Sequence, residues 1–124
     1  MNTSKESDVV LPLLTRHLVE TKLRDYCARK LPAHVRHQLR LSFAIEGDRV
    51  TLNEERDASG RPGTWITTRI AQFRFNPDSG LWTLYRTNVR SPDAWLPYLA
   101  ARPTAQFVSL LQAMDADRSG MFWG

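Results

Sequence analysis

The stretch Val35 to Ile45 reads V-R-H-Q-L-R-L-S-F-A-I. One parity holds Val35, His37, Leu39, Leu41, Phe43 and Ile45, and the other holds Arg36, Gln38, Arg40, Ser42 and Ala44. Alternation of period two sustained this long predicts a β-strand, from Val35 to Glu46, with one face buried and the other wet. The wet face carries arginine.

Further strands follow from the same logic. Gly47-Asp48 is a two-residue turn pair that accepts positive φ, so Arg49 to Arg56 is expected to return as a hairpin partner, with Val50 and Leu52 on the dry side. Asp57 to Gly63 (D-A-S-G-R-P-G) reads as a loop. A third strand from Trp65 to Phe75 and a fourth from Leu81 to Thr87 are joined by Asn76 to Gly80, where proline presets φ and Gly80 takes the left-handed position. Ser91 to Arg102, broken by Pro92 and Pro97 and followed by Pro103, fits either an edge strand or an irregular flap.

Two helices flank the strands. Met1 to Ser7 is polar and expected to fray. Asp8 is a candidate N-cap for a helix from Val9 to Lys30, with Pro12 inside the first turn and Pro32 ending it. Val10, Leu14, Leu18, Val19, Leu23, Tyr26 and Cys27 recur at three- and four-residue steps as an apolar stripe. A second helix is expected from Thr104 to Met114, followed by a tail whose Met121, Phe122 and Trp123 tuck back onto the sheet. The expected fold is α+β: an N-terminal helix, an antiparallel meander of four or five strands, and a C-terminal helix with an aromatic tail.

The 124 residues form one domain by length, with room for no second. A single cysteine, Cys27, cannot close an intramolecular disulfide and fits a reducing compartment. No run approaches the roughly 20 apolar residues of a membrane span, so the expected setting is cytoplasmic, without a membrane partner. The net charge of +4 is unevenly spread. Arg16 to Arg40 holds seven basic residues against two acids, Arg61 to Arg90 five against one, and the hairpin Glu46 to Asp57 between them five acids against two arginines.

The order V-R-x-x-L-R-L-S-F-x-I-x-G-x-x-V-T-L-x-E-x-R, then A-Q-F-R-F-N-P-D-S-G-L-W-T-L-Y, and a terminal D-x-D-x-x-G-x-F-W-G resembles a family of small bacterial proteins catalogued only as a domain of unknown function. The likeness covers roughly residues 10 to 124 and is most specific at Phe73 to Tyr85 and Gly120 to Gly124. It implies a bacterial origin and assigns no activity.

Candidate chemistry is sparse. Asp115 to Gly120 opens like a calcium loop but lacks the twelfth-position glutamate, and a helix end followed by a polar turn explains it better. His34, His37 and Cys27 have no second ligand pair at zinc spacing, and His37 falls on the dry parity. Glu54 and Glu55 point to opposite sides of a strand, so they cannot flank one bond; a structural ion pair of Glu54 with Arg56 or Arg69 is the expectation. No catalytic motif, cofactor motif or metal site emerges.

Phe73, Phe75 and Trp82 fit the buried parity, as large rings usually do in a small core. Tyr85 falls on the opposite one, as do Gln72 and Arg74. Arg36, Arg40, Arg74 and Tyr85 would therefore share a solvated face, open if both helices pack on the dry side and covered if one packs on each. An open face of this kind points to a non-catalytic binding module for single-stranded nucleic acid or structured RNA, guanidiniums meeting phosphates and tyrosine stacking on a base. The alternative is an inhibitor or immunity-type partner of a bacterial enzyme, acting through the acidic hairpin or the Pro-rich flap. An exposed edge strand would allow a homodimer as well as a monomer.

Overall fold

The computed structural model describes residues 10–58 and 63–124. The expected fraying of Met1 to Ser7, the Asp8 cap and the middle of the Asp57 to Gly63 loop lie outside the described residues. The chain runs α1 (Leu13–Lys30), a 3-10 turn (Ala33–Val35), β1 (Leu39–Glu46), β2 (Arg49–Asp57), β3 (Trp65–Asn76), β4 (Leu81–Asn88), β5 (Ser91–Pro97) and α2 (Phe107–Ala116). The five strands form one antiparallel sheet in sequence order, so the fold is an α+β meander. No described helix is long and apolar enough to cross a membrane.

Proline sets both ends of α1. Helix begins at Leu13, later than the expected Val9, because Leu11 precedes Pro12 and is pushed out of the helical region; Pro12 sits at the N-cap with ψ 146° and accepts the first bond from Arg16 N–H at 2.8 Å. Leu31, before Pro32, is extended in the same way (ψ 138°). The stripe splits. Val19, Leu23 and Tyr26 are buried, whereas Val10, Leu13, Leu14 and Leu18 remain exposed, Leu14 by 83%. One step along a helix turns the side chain by about 100°, so Leu18 and Val19 cannot face the same layer.

The first strand also starts later than expected, at Leu39. After Pro32 the chain winds into a tight turn, Val35 and Arg36 donating to the carbonyls of Pro32 and Ala33 at 3.2 Å each and Gln38 to that of Val35 at 2.9 Å. Alternation from Val35 to Gln38 is therefore not strand periodicity, and His37 is exposed, not dry. From Leu39 onward the parity holds: Leu41 is buried, Phe43 and Ile45 pack against the core, and Arg40, Ala44 and Glu46 are exposed.

A bulge in β3 changes which residues share a face. Leu52 pairs with Ala71 and Asn53 with Arg69, so Ile70 is the extra residue. Ile70 and Ala71 are both buried. Before the bulge the odd positions Trp65, Thr67 and Arg69 lie on the same face as the even positions Gln72 and Arg74 after it.

The ambiguous segment becomes an edge strand. β5 pairs Tyr85 with Pro97, Arg86 with Leu96 and Thr87 with Trp95. Farther along β4, Thr104 takes over the same edge, exchanging two backbone bonds with Trp82 at 2.7 and 3.0 Å. Thr104 thus belongs to the sheet edge, and α2 starts at Phe107, three residues beyond the expected Thr104.

Both helices cover the same side of the sheet. Phe107 of α2 packs on Phe73 and Trp82 at centroid distances of 4.9 and 5.0 Å. Helix α1 is tied to the end of α2 by the Tyr26 hydroxyl and the Lys30 ammonium, each donating to Asp115 Oδ1 at 2.8 Å. The tail closes this layer. Asp117, left-handed at φ 45°, accepts Phe122 N–H on Oδ1 at 3.0 Å and Trp123 N–H on Oδ2 at 2.7 Å. Phe122 packs edge-on against Tyr98 at 5.0 Å and Trp123 lies under Lys30 at 5.0 Å, whereas Met121 stays exposed.

Candidate binding face

With both helices on one side, the other side of the sheet is covered by no described element. Its side chains follow the pleat: Arg40, Ser42, Ala44 and Glu46 from β1; Arg49, Thr51, Asn53 and Glu55 from β2; then Trp65, Arg69, Gln72 and Arg74 from β3, with Tyr85 from β4 and Trp95 from β5. Three guanidiniums on this face lie over aromatic rings. Arg40 is 3.9 Å from the centroid of Trp65, Arg74 is 3.9 Å from that of Tyr85, and Arg69 is 5.8 Å from that of Trp95.

Neighbouring polar groups hold the two close stacks. Arg40 Nε donates to Glu55 Oε1 at 2.5 Å, and Ser42 Oγ lies 3.3 Å from the other carboxylate oxygen. Arg74 Nε donates to Gln72 Oε1 at 2.6 Å, and Gln72 Nε2 donates in turn to Thr51 Oγ1 at 3.0 Å. Gln72 is 7% exposed, the one buried polar side chain among the described residues. A buried amide with both ends bonded has a fixed orientation, so Gln72 acts as the bracket that holds Arg74 over Tyr85.

Arg69 is held more loosely, its Nη1 reaching only the carbonyl of Asp93 at 3.5 Å. Beside it the face sinks into a hollow of about 400 Å³ lined by Glu46, Thr51, Asn53, Arg69, Gln72 and Trp95 among others. The three stacks run along the face, Arg40 in the row of Glu55 and Arg74 in the row of Arg49. Six residues of strand separate those rows, roughly 20 Å at the usual rise.

The four residues expected to share a face do not all meet. Arg74 and Tyr85 are in direct contact, and Arg40 lies on the same face at its far end. Arg36 is elsewhere: its guanidinium turns back to the end of α1, bonding the carbonyls of Leu31 (3.1 and 3.3 Å) and Ala28. Those are carbonyls that a helix end leaves without intrahelical partners, so Arg36 is a C-terminal cap. Trp65, Arg69 and Trp95 were not expected here. Trp65 and Arg69 were hidden by the bulge, whose signal is the consecutive apolar pair Ile70-Ala71 inside an alternating run; Trp95 had no signal in the proline-broken segment.

Other candidates are accounted for by structure. Glu54 pairs with Arg56 at 3.2 Å and Glu55 with Arg40, on opposite faces as the strand pleat requires. Asp115 and Asp117 spend their oxygens on Lys30, Tyr26 and the tail amides. The Lys30 hydrogen bond, then that from Tyr26, holds the Asp115 carboxyl below the usual carboxylate range. Burial, reinforced by Asp115, pushes the Tyr26 phenol above its ordinary value. Burial also raises the Cys27 thiol to about 11, which leaves almost no thiolate at neutral pH. A cleft of about 430 Å³ between the helices includes Asp25, Arg29, Lys30 and Asp115, already paired as Asp25 with Arg29 and Asp115 with Lys30. Among the described residues no three His, Cys, Asp or Glu side chains cluster as a metal would need.

No curated protein and no solved structure matches the chain. A family model described as a domain of unknown function (DUF3024) matches residues 11–124, and on that match the chain belongs to the DUF3024 family.

Proposed function

We propose that this protein is a small, non-catalytic binding module that holds single-stranded nucleic acid, RNA or DNA, along its open sheet face. The observation that carries the reading is the pair of close guanidinium-on-aromatic stacks, with a third, looser cation–π contact between Arg69 and Trp95, on the face that neither helix covers. A guanidinium lying flat on a ring covers the ring and offers its own outer plane, which is flat, cationic and weakly hydrated, to an unpaired base. Recognition is then base on arginine on aromatic. The hollow beside Trp95, where the arginine lies farthest from its ring, has room for an unstacked base among the polar groups of Asn53, Thr51 and Gln72.

Charge supports a modest role for phosphates. Arg40 is matched by Glu55, while Arg49, Arg69 and Arg74 have no ion-pair partner among the described residues. Three phosphate contacts on a single strand would give a slope of log affinity against log salt of about −2. Stacking, not charge, would supply most of the affinity. The acidic hairpin offers less to a basic protein partner than its composition suggests, since Glu54 and Glu55 are satisfied internally. We place the module in the bacterial cytoplasm, in keeping with its single half-buried cysteine.

Fluorescence anisotropy with labelled single-stranded RNA and DNA tests the reading. Binding is expected in low salt, and is expected to weaken at least about tenfold in Arg74→Glu and in Arg40→Glu, while a duplex of the same sequence binds more weakly. Absence of binding in low salt, or binding indifferent to both substitutions, sinks the proposal.

A further inference from the structure

The two edges of the sheet are built differently. β5, at one edge, contains Pro92, Asp93 and Pro97 and a break in its pairing after Thr87, the devices that keep an edge from pairing with another chain. β1, at the other edge, is eight residues long without proline, lysine or bulge, and among the described residues no strand lies beyond it. Its pairing with β2 fixes which backbone groups remain free. Asp57 N–H bonds the carbonyl of Gln38 and Phe75 N–H that of Asp48, so even positions of β1 face β2 and odd positions face outward. The outward groups are those of Leu39, Leu41, Phe43 and Ile45.

We propose that β1 is a self-association surface, pairing antiparallel with β1 of a second copy so that two sheets join into one of ten strands. The register follows from charge and parity. With Phe43 on the two-fold axis opposite its own copy, Leu41 faces the partner's Ile45 and Ser42 faces the partner's Ala44. Arg40 then stands directly opposite the partner's Glu46. This places opposite charges together twice, on the open face, and gathers Phe43 and Ile45, both only half-buried in one chain, on the helix-covered face. Shifting the register by two residues sets Arg40 opposite the partner's Ala44 in one direction, and in the other opposite the partner's Asp48, which lies in the turn beyond the strand. The join supplies about six backbone hydrogen bonds in the alternating pattern of an antiparallel pair. It also sets the two open faces side by side as one continuous surface.

Sedimentation of the full chain, free of nucleic acid, reads this directly: a monomer–dimer equilibrium is expected between micromolar and near-millimolar concentration. Glu46→Arg, at an exposed site, sets like charges opposite each other twice and is expected to raise the dimer dissociation constant about tenfold. The register has its own test in Ser42→Cys and Ala44→Cys, each carried with Cys27→Ala. Under air oxidation a mixture of the two is expected to give a disulfide-linked dimer, and either alone is not. A chain that stays monomeric throughout overturns the proposal, as does crosslinking of the Ser42→Cys variant to itself in preference to the mixture. Neither result bears on whether a monomer binds nucleic acid, which anisotropy at nanomolar protein concentration reports separately.

Discussion

On the helix-covered side of the sheet, Val50, Leu52, Ala71, Phe73 and Leu84 have no surface left exposed; on the open side, from the same three strands, come Thr51, Asn53, Gln72, Arg74 and Tyr85. The covered residues are chosen for volume. The open ones form specific polar and stacking pairs that contribute little to the core: Arg74 on Tyr85, Arg40 on Trp65, Gln72 between Thr51 and Arg74. Specific geometry outside the core, on a surface that no described element covers, is what a recognition face requires.

A matched pair of substitutions one row apart gives the sharpest test of this contrast. Trp82 packs on Phe75 and Phe107 with 2% of its surface exposed, so Trp82→Ala is expected to cost about 3–5 kcal/mol of unfolding free energy. Arg74→Ala, across the sheet, removes a partly exposed stack and the donor to Gln72 Oε1, and is expected to cost about 1–2 kcal/mol. Urea denaturation monitored by tryptophan fluorescence measures both, with circular dichroism as the probe shared by the variant lacking Trp82. Equal losses would mean that the open face is as structural as the covered one, and the case for recognition would lose its footing.

How far each face was legible in the sequence follows from the same contrast. Burial imposes period two, and from Leu39 to Leu84 that period, with Gly47-Asp48 and Asn76 to Gly80 as turns, was enough to place β1 through β4. It failed where something other than burial set the backbone. Pro32 winds the next residues into a turn, so the alternation of Val35 to Gln38 was coincidental and Arg36 became a helix cap. The bulge at Ile70 transfers Trp65 and Arg69 to the open face, and one inserted residue reverses every assignment beyond it. The terminal D-x-D-x-x-G-x-F-W-G, expected as a helix end and polar turn and not as a calcium loop, forms that turn, and its Asp117 carboxylate also ties down the tail.

That tail separates the covered layer's polar rim from its apolar centre. Asp117 accepts two backbone N–H groups with its two oxygens, in a left-handed conformation that aspartate tolerates better than most residues. Asp117→Ala leaves both donors without this partner and adds backbone strain, for an expected loss of about 2 kcal/mol. Amide exchange at Phe122 and Trp123 is expected to accelerate while exchange in β2 and β3 falls only with global stability. Unchanged protection at those two amides would show that Phe122, packed on Tyr98, holds the tail by itself.

The smallest effect is expected at the junction of the helices, and it depends on pH. Lys30 and then Tyr26 hold the Asp115 carboxyl below its ordinary value, so the folded state favours the carboxylate more than the unfolded chain does. A group of that kind contributes stability that is fully present above the unfolded carboxylate value near about 4 and is lost as pH falls through the folded one. Tyr26, pushed above its ordinary value mainly by burial, stays protonated throughout and remains a donor, so Asp115 alone sets the acid dependence of this contact. Its side chain is 46% exposed and Lys30's 29%, and solvent screening keeps the contribution below about 1 kcal/mol. Asp115→Asn should therefore be slightly less stable than the parent at pH 6, with the gap closing as pH falls below about 4. A gap that stays constant from pH 6 to strong acid would mean that Asp115 acts here through hydrogen bonds and packing that do not need its charge, and the ion pair with Lys30 would then be dispensable to the covered face.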